Sequence, residues 1–136
     1  MKLIKFITHP VTLIICFLFI IISGEASGGF YFMYIMIALP HGAIHSILAV
    51  LAIITLLFSA IKYHGAYTNL AEPILNFAGI ALMLLSLYLF FAKDVEHYNY
   101  PTFYQIVPIS MLVVFGIVTI CSLVFNAGNL KLHPPT

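Results

Sequence analysis

Between Phe30 and Tyr63 the chain runs for 34 residues with no carboxylate, and with no cation before Lys62. One α-helix of that length would measure about 50 Å, against a bilayer hydrocarbon core of about 30 Å. In the middle of the run stands Pro40-His41-Gly42-Ala43-Ile44-His45. Proline has no N–H for the helix ladder and crowds the turn before it, so the run must kink or break at Pro40. Two geometries satisfy this. In one, a tilted helix kinked at Pro40 continues throughout and projects past the bilayer. In the other, residues 28–39 form a separate half-helix at the outer surface, and His41 to Lys62 is the spanning helix. The kinked helix is the expectation. Phe30, Phe32, Met33, Ile35, Met36 and Ile37 surround the first half on every side, which suits it poorly to lying flat in water.

The rest of the chain carries too little charge to coat a water-facing surface. Of its 136 residues 63% are hydrophobic and 7% charged, with a mean hydropathy of +1.15; soluble domains carry about 25% charged residues. The chain belongs in a lipid bilayer. A net charge of +1 offers no basic patch for nucleic acid. Arginine is absent, which removes bidentate phosphate recognition. Cys16 and Cys121 lie inside apolar runs and read as small buried hydrophobes, not as a disulfide framework.

The pattern predicts an all-α membrane protein, a four-transmembrane-helix bundle forming a single membrane domain over residues 1–136. Its spans cover about 6–23, 30–63 (kinked at Pro40), 72–92 and 103–126. The first resembles a signal peptide in outline, with Lys2 and Lys5, an apolar stretch and Gly24-Glu25-Ala26, but is read as a transmembrane helix with Pro10 early in it. Residues 23–29 read as a flexible turn. Residues 64–71 form a polar loop, with Asn69 available to cap the third helix. Residues 93–102 form the most polar loop, and Gly128 ends the fourth helix, which Pro108 can bend. Lys2, Lys5, Lys62 and Lys131 fall on one side of this plan, and Lys93, Glu25, Asp94 and Glu96 on the other. The positive-inside rule then puts both termini in the cytoplasm, and the expected location is a bacterial inner (plasma) membrane.

Each span carries small or polar residues at helical spacing. They are Thr8, Thr12, Cys16, Phe19 and Ser23 in the first; Tyr34, Ala38, His41, His45, Ala49, Ala52, Thr55 and Ser59 in the second. The third has Glu72, Asn76, Gly79, Met83 and Ser86; the fourth has Gln105, Pro108, Leu112, Gly116, Thr119, Ser122 and Asn126. Such stripes let helix backbones approach closely in lipid and predict the packed interior.

Ionisable groups at membrane depth are functional candidates, so Tyr34, His41 and His45 form the primary polar site. On a continuous helix His41 and His45, four apart, share a face. Three roles fit: a hydrogen-bonded packing pair, metal ligands, or a proton- or quinone-handling site. Zinc needs more ligands than two, and Cys16, Met33 and Met36 lack diagnostic spacing. A bis-His haem within one chain is excluded, since both rings leave one face; haem would have to bridge chains or pair one His with Met83 or Met111. No cofactor is expected, with a metal or quinone at His41/His45 as the exception. Glu72 and Asn76 are secondary candidates. Glu72 suits the dipole at a helix start, with His9 and His64 on the same side. Asp94, Glu96 and His97 read as a solvated acidic loop that could hold a divalent ion.

The leading functional reading is a non-enzymatic small integral membrane subunit or assembly partner of a larger complex, with lipid and other membrane subunits as partners. The alternatives are a homo-oligomeric channel or small transporter with His41/His45 near the pathway, and a redox or quinone-site subunit.

Overall fold

A computed structural model describes residues 2–25, 28–62, 71–94 and 96–132. In chain order the elements are α1 (Lys2–Ile7), α2 (Pro10–Leu18), β1 (Ile21–Ser23), β2 (Gly28–Phe30), α3 (Tyr31–Ala38), α4 (Ile44–Lys62), α5 (Ala71–Ala92) and α6 (Ile106–Leu132), with 3₁₀ turns at Leu39–His41 and Tyr100–Phe103. Three helices are long and apolar enough to cross a membrane, over Ile44–Ile61, Ala71–Ala92 and Ile106–Gly128, as in an integral membrane protein. Tyr31–His41 is a shorter apolar segment. The expected loop at residues 64–71, with Asn69 and His64, lies outside the described residues except for Ala71, as do residues 133–136 of the tail.

Proline placement explains most of the element boundaries. Pro10, Pro40, Pro73, Pro101 and Pro108 all sit at the start of a helical element, where a missing N–H leaves no ladder bond unmade. Pro108 therefore demands no bend. At Pro40 the expected kinked helix is replaced by two helices. Leu39–His41 tightens into the 3₁₀ turn, and Gly42 takes a left-handed conformation with φ 67°. Only glycine adopts that conformation without strain, so the ladder stops there and α4 begins afresh at Ile44.

The first span departs furthest from expectation. A single helix over residues 6–23 does not form. Pro10 cannot donate to the Phe6 carbonyl, so the ladder breaks, and that carbonyl instead accepts from the Thr12 hydroxyl at 2.7 Å and the His9 N–H at 3.3 Å. His9 caps α2, its Nδ1 accepting from the Val11 N–H at 3.2 Å. After Leu18 the chain turns extended. The expected flexible turn is a β-hairpin with Ile21 opposite Phe30, Ile22 opposite Gly29 and Ser23 opposite Gly28.

α4 and α5 form the main antiparallel pair. Their register is fixed where Leu56 fills the space beside Gly79 and where the Ser86 hydroxyl donates to the His45 carbonyl at 2.7 Å. α2 lays Leu13 and Phe17 against this pair and α6, Ile20 follows just after the helix, and all three are fully buried. Phe17 meets Tyr31 edge-on at 5.2 Å and Phe115 at 5.9 Å. The helix continues past Gly128 to Leu132; nothing around Gly128 calls for a left-handed cap, and one glycine costs a helix only about 1 kcal/mol.

Candidate functional site

The polar groups collect at the two ends of the bundle. Between them lies an apolar layer containing Ala49, Ala52, Leu56, Ile80, Met83, Phe115 and Val118, all buried.

At one end the hairpin, α3 and the α5–α6 connection build a cap. Its fastener is Thr102, fully buried. The Thr102 hydroxyl accepts from the Ser23 N–H at 2.9 Å and donates to the Ser23 carbonyl at 3.1 Å. The Ser23 hydroxyl donates to Gln105 Oε1 at 2.7 Å, and the Glu25 N–H to the Tyr98 carbonyl at 3.0 Å. Asp94 holds the connecting loop by accepting from the backbone N–H groups of Tyr98 at 3.2 Å and Asn99 at 2.7 Å. A carboxylate on two backbone donors fixes a turn much as a helix cap does.

The hub beneath the cap is Phe90. Its ring lies 5.2 Å from Tyr31, 5.4 Å from Tyr34, 5.3 Å from His45 and 5.1 Å from Phe91, each in an edge-to-face arrangement. Such contacts add to area burial. A relay of hydroxyls crosses the same region. Ser86 gives its one proton to the His45 carbonyl, so Tyr31 donates to Ser86 Oγ, 2.8 Å away.

Two of the three primary candidates meet at Phe90, and the third does not. Tyr34 and His45 are half-buried against its ring. His41 is exposed on the 3₁₀ turn, with Nδ1 3.0 Å from the Ile37 carbonyl, which it can only meet as an N–H donor. Four-residue spacing gives a shared face only on an unbroken helix, and Gly42 ends the helix between the two histidines. The expectation that the two histidines share one face is corrected on that ground. His45 Nε2 is enclosed and has no hydrogen-bond partner among the described residues.

His45 instead shares a cavity of about 350 Å³ with Ala43, Ile44, Phe90, Lys93, Asp94 and Asn99. The structure thus joins His45 to Asp94, which the sequence places in separate groups. Glu96 and His97 stay outside, exposed on the loop; His97 takes a positive φ of 57° and meets Tyr100 edge-on at 4.2 Å.

The secondary candidates Glu72 and Asn76 lie at the opposite end, 2% and 0% exposed. The Asn76 amide donates to Asn126 Oδ1 at 3.3 Å. Ser59, Ser122 and Thr119 are also buried, and among the described residues their hydroxyls have no hydrogen-bond partner, nor has Asn126 Nδ2. Three other hydroxyls settle on the preceding helical turn: Thr8 donates to Ile4, Thr55 to Leu51 and Ser110 to Val107. Ser46, Ser59, Ser122 and Thr119 lack such a bond among the described residues.

Among the described residues no three His, Cys, Asp or Glu side chains come together as a metal-holding group. Sequence reasoning missed Phe90, Thr102, Lys93 and Asn99. Aromatic hubs and buried threonines carry no spacing signal, and Lys93 and Asn99 enter only because the loop folds back over the mouth of α4. Comparison of the chain with protein-family models, curated proteins and solved structures finds no match.

Proposed function

We propose that the chain is a non-enzymatic small subunit or assembly partner of a larger membrane complex, and that its contact surface is the rim of the cap. One observation supports this most. Tyr104 and Ile106, 83% and 84% exposed, flank Gln105, whose side chain is tied to Ser23. Large side chains held outward on a pinned backbone lose little entropy on docking, and tyrosine is enriched among the residues that anchor interfaces. A photo-crosslinking residue at position 104 should, in native membranes, give one discrete adduct with a different protein, and a Thr102→Val change that loosens the cap should weaken it. The same residue at position 113, in the middle of α6, serves as the lipid-facing control. Adducts only between copies of this chain, or equal adducts at 104 and 113, would overturn the reading.

A homo-oligomeric channel or small transporter is the second reading, favoured by the buried polar atoms of Ser59, Thr119, Ser122 and Asn126 that have no partner among the described residues. A uniform ring in native mass spectrometry would select it.

The same proposal takes α1, α2 and β1 as a fourth crossing. Ile4, Ile7 and Thr8 line one groove with Ile120, Cys121 and Val124, while Ser23 bonds Thr102 and Gln105. The segment therefore travels beside α6 from end to end, partly as strand. Both termini then lie on one side, the cytoplasmic side of a bacterial inner membrane by the lysine distribution. Single cysteines at 94 and 133 in a Cys-free chain should label from opposite faces of sealed vesicles. Labelling of both from one face would refute the fourth crossing.

A further inference from the structure

We propose that the cavity beside His45 is a binding site for the headgroup of a zwitterionic aminophospholipid, with the phosphate on Lys93 and the ammonium on Asp94. This rests on observations separate from the docking rim.

The first is depth. The apolar span of α4 begins at Ile44 and that of α5 ends at Ala92. The cavity is lined by Ala43, Ile44 and His45 on one helix and Phe90, Lys93 and Asp94 on the other, so it sits where both spans leave the hydrocarbon. That is the level of lipid headgroups.

The second is charge. Lys93 is exposed, and its side chain makes no ion pair or hydrogen bond within the described residues. Its neighbour Asp94 already accepts from two backbone N–H groups, which fixes the carboxylate and leaves lone pairs for another donor. The two charges stand side by side without neutralising one another. A ligand bearing a phosphate and a primary ammonium a few bonds apart complements both. Phosphate gains charge-assisted hydrogen bonds from Lys93, and an ammonium gains them from Asp94. A quaternary ammonium has no N–H for Asp94, and a glycerol headgroup offers it hydroxyls but no positive charge. Asn99 on the cavity wall adds a neutral polar side chain.

The third is the path for the acyl chains. Ile44, Ile47, Leu51 and Ile54 are large apolar residues exposed at helical spacing down α4. They form a continuous apolar track that begins at the cavity. A free phosphate or soluble phosphoethanolamine would leave this track unused, so the proposal commits to the lipid.

The test is native mass spectrometry of the full chain released from nanodiscs holding equal parts of phosphatidylethanolamine, phosphatidylcholine and phosphatidylglycerol. The intact chain should retain phosphatidylethanolamine in preference to the other two. In Lys93→Gln the retained lipid should fall about tenfold or more, the effect of one lost charge-assisted hydrogen bond. In Asp94→Asn the preference for phosphatidylethanolamine over phosphatidylcholine should vanish while total retention persists. The Lys93 side chain holds nothing in the fold, so its variant reports binding alone, and a thermal melt of both variants checks that the loop stands. Equal retention of the three lipids by the intact chain, preference for phosphatidylglycerol, or an unchanged Lys93→Gln variant would overturn the proposal. So would binding of soluble phosphoethanolamine as tight as that of the lipid.

Discussion

Gly79→Val separates α4 from α5 and lowers stability by at least about 3 kcal/mol, the upper range for overpacking a filled interior. A Cβ at position 79 would stand 2.5 Å from Leu56 Cγ and 2.8 Å from Leu56 Cδ2. Leu56 is fully buried, and its Cγ is the branch point of the side chain, so it has neither room nor a flexible end with which to yield. Even Gly79→Ala, which gains about 1 kcal/mol of helix propensity, should come out destabilised, because lipid offers no hydrophobic drive to hold parted helices together. The measurement is a denaturant titration in bicelles followed by circular dichroism. A second substitution sharpens it. Leu56→Ala alone removes core volume at a cost of about 2–5 kcal/mol, yet in the Gly79→Val background it makes room for the valine. The double variant should therefore be more stable than the sum of the two singles by at least about 1 kcal/mol. Additive effects, or a Gly79→Ala variant as stable as the parent, would show that the helices do not depend on this approach.

Thr102→Val keeps the side-chain shape and removes both hydrogen bonds to Ser23. The lost partners are the half-buried N–H and C=O of Ser23, and leaving both unsatisfied costs about 1–3 kcal/mol in all. The strands are three residues long, and an isolated two-stranded hairpin is marginal at best, so the hairpin should open while the helices stay folded. A penalty of about 2 kcal/mol corresponds to a roughly thirtyfold loss of amide protection. Hydrogen exchange should show it over residues 21–30 and leave α4 and α5 unchanged. Uniform loss over the whole chain, or none, would contradict the assignment of Thr102 as the fastener of the cap.

The long helices were legible because lipid makes composition and length decisive. The third span, expected over 72–92, is α5 at Ala71–Ala92. Its stripe Glu72, Asn76, Gly79, Met83 and Ser86 is the face the fold buries, since small and polar residues at helical spacing have nowhere better to go than a helix contact. The first span was misread for a local reason. Its stripe assumed one unbroken helix, whereas Pro10 breaks the ladder and the chain leaves the helix after Leu18. The face that packs is Leu13, Phe17 and Ile20, and Phe19 is exposed. Ile20, Ile21 and Ile22 read equally as helix or strand by periodicity alone. What decides between them is Thr102, far along the chain, and no local signal announces it. The meeting of His45 with Lys93 and Asp94 was hidden in the same way. It depends on the register between α4 and α5, and Leu56 against Gly79 fixes that register in space.

The bond between Ser23 and Thr102 spans 79 positions of sequence, and this sets an order of events during synthesis. At 5–20 residues per second, Thr102 emerges roughly 4–16 s after Ser23. Throughout that interval the extended segment after α2 has no fastener, while the helices between are laid down. The cap can close only once the start of the last helix has arrived. A chain truncated before Thr102 thus leaves its short hairpin without a fastener, and a finished chain supplies it. A quality-control protease that recognises loose strands would distinguish unfinished from finished copies by this one contact.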